Sequence, residues 1–400
     1  MKSSGLSKPV DISLDVLILL LAGVMMAVTG LLLFPVSAGA LPYYENGLYG
    51  LLLFIFALQM ITLGKTPFGD VRRSRLVLFL GLATAGIGFF TAFIPAVFDP
   101  LPRALIALSF GLGGLVLLLQ MLFAPDKMRA WVKYGGIFHT LIMASGVVYS
   151  LSILVGLLVL NQFLLPLRVT AFFALIFGGA VVFLSLLLER IYSRYPDGAR
   201  RWLEDGQIAP DKALILVTGV FMVILGLLLI PVNMGILPFS GSAQIGLLTV
   251  LIAFQMIATG NTPIGAFPRS LLLVITGFCF AVLGIISCLI PYILVPLLTV
   301  LIGSFNILGG SINLLKILLP VLGKNSAPSG SVPIILVKLS ITQVTMNIVS
   351  IVFGTSMFFS HLIPGGIVGG VLVANGGLLL YLLHLLNLID GMKMQARAPA

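Results

Sequence analysis

The stretch ALQMITLGKTPFGDVRRS, residues 57–74, returns 196 residues later as AFQMIATGNTPIGAFPRS, residues 253–270. Each copy reads as an apolar helix carrying one glutamine, then a glycine, a Thr-Pro-x-Gly turn, an arginine and a serine. Gly64 and Gly260 suit a left-handed helix cap, Pro67 and Pro263 forbid continuation of the helix, and Gly69 and Gly265 let the backbone turn back. Working outward, the register holds without a gap. Asp15, Gly23, Gly30 and Pro35 face Asp211, Gly219, Gly226 and Pro231, and Gly113 and Gly114 face Gly309 and Gly310. It returns at Gly178 and Gly179 against Gly376 and Gly377 after small insertions. The chain is an internal duplication.

Of 400 residues, 60% are hydrophobic and 8% charged, a balance that no water-soluble globule carries. At roughly 20 residues per helical span, run length and punctuation predict spans at about 14–35, 48–64, 76–95, 104–124, 134–160 and 169–189, then 213–232, 244–260, 271–291, 296–315, 333–360 and 366–389. The fifth and eleventh are long enough to need tilt. The expected fold is all-α integral membrane, with twelve transmembrane helices in two parallel six-helix repeats, each of three helical hairpins. Residues 1–188 form the first repeat, 189–212 a cytoplasmic interfacial linker and 213–400 the second repeat. An even number of spans per repeat orients both the same way about an axis along the membrane normal. On this count 20 of the 22 lysines and arginines fall on one side, leaving only Arg103 and Arg168 opposite. The positive-inside rule then places both termini in the cytoplasm of an inner (plasma) membrane protein.

Several functions are excluded. The net charge of +10 does not imply nucleic acid, because the basic residues flank the membrane and form no stripe with interleaved aromatics. Cys279 and Cys288 share one apolar run on different helix faces and suit neither a disulfide nor a metal. The histidines, His139, His361 and His384, form no ligand or catalytic set. No nucleophile elbow or phosphate loop occurs, so neither an enzyme nor a bound cofactor or metal is expected. All twelve acidic residues lie in loops or near span ends, which disfavours proton- or cation-coupled transport, a chemistry that usually keeps an intramembrane carboxylate. Asp15 and Asp211, opening spans one and seven, read as helix N-terminal caps.

A finer period runs inside each repeat: Gly23, Gly30 and Pro35 recur as Gly81, Gly88 and Pro95, with glycine-bearing return helices at Gly50, Gly111–Gly114 and Gly178–Gly179. This pattern resembles the HdeD-like family of short-repeat, acid-resistance membrane proteins, in doubled form. The resemblance implies a bacterial or archaeal inner-membrane protein linked to envelope or acid stress tolerance. The duplication and the Thr-Pro-x-Gly loops depart from that family's pattern.

The candidate solute or lipid-headgroup site comprises Gln59, Thr66 and Arg73 with their counterparts Gln255, Thr262 and Arg269. Turn chemistry accounts for most of the loop; the alternative is that Arg73 and Arg269 hold an anion beside exposed backbone amides. A glutamine within hydrocarbon needs a partner, so Gln59 and Gln255 either make interhelical hydrogen bonds or line a cavity. Expected partners are the bilayer, anionic headgroups at the cytoplasmic loops and the 189–212 linker, and a small solute. Two functions follow. A protective HdeD-like protein predicts no central polar cavity; a passive transporter or channel for a small neutral or anionic solute predicts one lined by both halves, with Arg73 and Arg269 at its mouth.

Overall fold

A computed structural model describes residues 12–71, 74–94, 97–161, 165–195, 209–322, 334–359 and 364–397. Twelve long apolar helices account for most of it. They are α1 (Leu14–Ser37), α2 (Glu45–Leu63), α3 (Arg75–Phe93), α4 (Leu101–Phe123), α6 (Ile137–Leu160) and α7 (Leu167–Arg194). In the second repeat they are α8 (Pro210–Asn233), α9 (Gly241–Thr259), α10 (Leu271–Leu289), α11 (Val295–Leu322), α12 (Ile334–Phe358) and α13 (Gly365–Arg397). The protein is a multi-pass, all-α membrane protein.

Each observed span lies within a few residues of its expected place, because hydrocarbon thickness fixes the length of an uninterrupted apolar helix. Two details differ. The polar joint before the fifth span folds as a short helix, α5 (Met128–Tyr134), set off by Gly135 and Gly136 at φ 63° and 57°. The longest helices are the sixth, tenth and twelfth spans, and the polar C-terminal ends of the sixth and twelfth continue the helix past the apolar run. Residues 196–208 of the expected linker lie outside the described residues.

The chain forms two compact units. The first comprises Met1–Pro210, Phe239–Gly260 and Pro268–Val295; the second comprises Asp211–Pro238, Asn261–Phe267 and Pro296–Ala400. Within the first, the closest helix pairs are not the consecutive hairpins expected from sequence. α1 packs along α7, where a Cβ on Gly23 or Gly30 would strike the backbone of Val182 or Leu175. α2 packs on α3 through Gly50 and Gly88, and α4 on α6 through Gly111 and Gly156. α9 meets α10 through Gly246 and Gly284, and Tyr44 N–H, ahead of α2, donates to the Leu289 carbonyl of α10 (2.9 Å). The second unit follows the same rule: α8 meets α13 through Gly226 and Gly369, and α11 meets α12 through Gly303 and Gly354. Apolar burial does not drive helices together in lipid, so backbones associate where small residues permit close approach. Glycine marks a contact without naming its partner, and here the partner of the first helix is the sixth.

Gly30→Ala should therefore destabilise the α1–α7 pair by about 1–3 kcal/mol through overpacking. Gly179, on the same α7 but facing open space, should tolerate alanine, which helix propensity favours by up to about 1 kcal/mol. Thermal unfolding in detergent checks the pair: the midpoint should fall for the first variant and hold or rise for the second.

Candidate functional site

After α2, Gly64 adopts φ 70° and closes the helix by accepting none of its continuation; its N–H donates to the Met60 carbonyl (3.0 Å). Strands β1 (Lys65–Thr66) and β2 (Gly69–Asp70) then pair antiparallel, with Gly69 at φ 134°. Thr66 Oγ1 donates to the Gly69 carbonyl (2.7 Å) and accepts from Phe68 N–H (3.3 Å). The second copy, β3 (Asn261–Thr262) and β4 (Gly265–Ala266), repeats this, with Thr262 Oγ1 donating to the Gly265 carbonyl (2.8 Å). Both threonines are thus used by their own turns.

These hairpins do not stand away from the helices. A Cβ on Gly113 would strike the Pro67 carbonyl, and one on Gly309 the Pro263 carbonyl. Gly113 lies ten residues before the end of α4 at Phe123, about 15 Å along the helix axis. The first hairpin is therefore folded back into the helix layer, where irregular backbone is tolerated if protein surrounds it or it lines a cavity. Gln120 Nε2 donates to the Phe68 carbonyl (3.0 Å), and Lys127 Nζ donates to Gln120 Oε1 (3.3 Å), fastening the tip.

Behind the first hairpin lies a cavity of about 340 Å³ within the first unit. Gln59, Lys65, Thr66 and Lys127 form its polar end; Met25, Phe56, Phe110 and Phe177 are among its apolar walls, and Ser109, Ser145, Tyr149 and Ser152 add hydroxyls. Part of the wall is a π-turn at Leu108–Leu112 in α4, a geometry that frees carbonyls and often marks functional sites. Ser152 Oγ donates to the Phe110 carbonyl there (2.9 Å). Among the described residues no acidic side chain lines the cavity. Lys65 is held by Asp15 at 3.7 Å, and Asp15 also accepts from Tyr192 Oη (3.0 Å). Asp15 is thus not the cap expected from sequence. Ser13 occupies that position without a side-chain cap bond, and the Asp15 carboxylate instead ties α1 to α7 and the hairpin.

The structure separates the six candidate residues. Gln59 and Thr66 line the cavity, and no described residue hydrogen-bonds the Gln59 amide. Gln255, Thr262 and Arg269 are not in its wall, and Arg73 lies outside the described residues. This cavity lies within the first unit, its walls formed among the described residues by the first repeat, so it is not the cavity lined by both halves that the transport expectation named. At the 196-residue offset Lys65 faces Asn261 and Gln120 faces Lys316, so the two repeats differ in the residues at this rim. In the sequence Gln120, facing Lys316 at the 196-residue offset, reads only as a position near the cytoplasmic boundary that tolerates polarity, and Lys127 and Ser152 carry no signal of a site.

A second cluster also escaped notice, at the opposite end of α2. Tyr49 Oη donates to Glu45 Oε1 (2.7 Å), Arg103 Nη2 pairs with the same oxygen (2.8 Å), and Arg103 Nε donates to Tyr49 Oη (3.1 Å). No protein-family model, curated protein or solved structure matches the chain.

Gln120→Leu removes the side chain that fastens the first hairpin. Hydrogen–deuterium exchange of the Val71 amide, bonded to the Gly64 carbonyl at 2.9 Å, should accelerate at least tenfold in this variant, with exchange in α1 unchanged.

Proposed function

We propose that this protein binds a small amphipathic anion in the cavity of its first repeat and passes it across the membrane without ion coupling. The observation that carries this reading is the cavity's division into one cationic, hydrogen-bonding end and a long apolar body. Asp15 offsets Lys65, while Lys127, which lines the same cavity as Gln59, has no acidic partner among the described residues. A carboxylate or phosphate placed there would gain a charge-assisted hydrogen bond, while its apolar portion fills the space among Met25, Phe56 and Phe177. The volume suits a small molecule, at the lower end of the roughly 300–1,000 Å³ usual for ligand sites.

Two further features support passage over mere retention. Short, Gly/Pro-interrupted apolar segments at corresponding positions of two repeats are a recurring mark of transporter sites, and residues 57–74 and 253–270 are such a pair. A wall without carboxylates offers no group to carry a coupling proton. The HdeD-like resemblance would set this activity in envelope or acid stress tolerance; that part of the proposal rests on the glycine and proline pattern alone.

Proteoliposomes loaded with medium-chain carboxylates, benzoate or their neutral amides test it. Saturable flux of the carboxylates should exceed that of the amides and fall at least tenfold in Gln59→Leu and in Lys127→Gln. Cys279→Ser, at an exposed position of α10, should leave flux unchanged. Absence of saturable flux from folded wild-type protein, or equal flux in all variants, would overturn the proposal.

A further inference from the structure

A second pocket, of about 270 Å³, opens where α2, α3 and α4 meet at the end remote from the hairpin. Its lining includes Tyr44, Glu45, Tyr49, Thr91, Asp99 and Arg103. With α2 of 19 residues between them, it lies about 28 Å along the helix axis from the hairpin, so it stands independently of the cavity described above.

The polar groups here are not all accounted for by the fold. Thr91 is 4% exposed, and neither its Oγ1 nor the buried Tyr44 Oη has a hydrogen-bond partner among the described residues. Burying a hydroxyl without a partner costs free energy, and native structures retain such groups where something else completes them. Burial also pushes the Tyr44 phenol up to about 12, so it remains a neutral hydroxyl at any physiological pH. Charge gives the sign of the missing partner. Glu45 and Arg103 neutralise one another at 2.8 Å, while the exposed Asp99 has no ion-pair partner among the described residues. The pocket therefore carries one surplus negative charge beside two unsatisfied hydroxyls and two tyrosine rings.

The second repeat supplies an internal control. At the 196-residue offset, Tyr44, Glu45, Tyr49, Asp99 and Arg103 become Ser240, Gly241, Ile245, Val295 and Thr299. Asn46 and Thr91 become Ser242 and Ser287, which satisfy each other: Ser242 Oγ donates to the Ser287 carbonyl (2.6 Å) and Ser287 Oγ to the Ser242 carbonyl (2.9 Å). Even the tie to the end of the next helix is kept, as Asn46 Nδ2 to the Ile94 carbonyl (3.5 Å) in one copy and Ser242 Oγ to the Ile290 carbonyl (3.4 Å) in the other. Among the described residues, the same helix pair thus closes in the second repeat with no charge and no orphaned hydroxyl. Packing does not require the charged cluster of the first.

We infer that this pocket binds a small hydroxylated or phosphorylated amine, its ammonium against Asp99 and the Tyr44 ring, since Arg103 already covers the Tyr49 face at 5.7 Å, and its oxygen on the hydroxyls of Thr91 and Tyr44. Tyrosine rings attract ammonium groups through their negative faces, and the surplus carboxylate selects against anions. The amine could arrive free in solution or as the headgroup of an aminophospholipid, which presents the same chemistry.

Full-length protein in phosphatidylglycerol nanodiscs, which contain no amine, titrated calorimetrically with ethanolamine, tests the inference. Native mass spectrometry from nanodiscs mixed with phosphatidylethanolamine provides the second arm. Saturable ethanolamine binding that weakens at least tenfold in Asp99→Asn and several-fold in the near-isosteric Thr91→Val, but not in Ser287→Ala, is the expected result. Selective retention of phosphatidylethanolamine, lost in the same two variants, would assign the lipid as the source; ethanolamine binding without such retention would assign the free amine. Thr91→Val carries the test should Asp99→Asn fail to fold. The inference is overturned if neither amine is bound, if binding is unaltered in both first-repeat variants, or if inorganic phosphate binds instead and is lost in Arg103→Gln.

Discussion

Close approach of helix backbones through glycine is the interaction on which the remaining architecture depends. Lipid is as apolar as a leucine side chain, so hydrophobic burial does not hold two spans together, and van der Waals contact between backbones must do so. Gly23 and Gly30 bring α1 against α7, and Gly111 and Gly156 bring α4 against α6. Helices pinned this closely along fixed stripes cannot all touch one another. The space left between α1, α2, α4, α6 and α7 becomes the cavity, floored by a hairpin that Gly113 lets sink into the helix layer. The cavity is thus a consequence of where glycine draws the helices together and where larger side chains hold them apart.

The hairpin solves a second problem set by the membrane. Folded back against the helices, its backbone groups find partners within the protein even where Phe68 and Val71 at its tip and end stay exposed. Thr66 supplies one through its hydroxyl and Gln120 another through its amide, while the strand pairing of Lys65 with Asp70 satisfies others. Thr262 does the same work in the second copy. This explains why threonine, proline and both glycines recur in the two repeats while the residue between Gly and Thr does not. The recurring positions maintain a turn; the variable one faces the cavity in the first repeat.

The sequence made the spans legible because their length answers to one external dimension, the hydrocarbon thickness, and because glycine, proline and charge interrupt them sharply. Helix partners were not legible. A glycine stripe announces close approach but is blind to which helix approaches, and consecutive hairpins were the natural assumption for Gly23 and Gly30. Polar side chains were misread for a related reason. Asp15 looks like a cap because a cap needs only local sequence, whereas its real partner, Tyr192, lies 177 positions away. Glu45 and Arg103 are 58 apart and met only once α2 and α4 were placed side by side. Gln59 stands out because an amide in an apolar run is conspicuous; Lys127, outside the span, shows in the sequence only its sign.

An internal duplication converts that difficulty into a tool. Two copies of one helical unit face the same requirements of span length, close packing and turn closure, and residues answering those requirements persist at the 196-residue offset: Gly30 and Gly226, Pro67 and Pro263, Thr66 and Thr262. A polar residue present in one copy and replaced by an apolar or neutral one in the other, within the same local backbone, is not needed to build the unit. Lys65 against Asn261 belongs to this class at one end of α2, and Glu45 against Gly241, Tyr49 against Ile245 and Arg103 against Thr299 at the other. Since burying such groups costs stability wherever they are not fully satisfied, their confinement to the first repeat is a feature that span length, close packing and turn closure leave unexplained, and it is the asymmetry from which both proposed sites are argued.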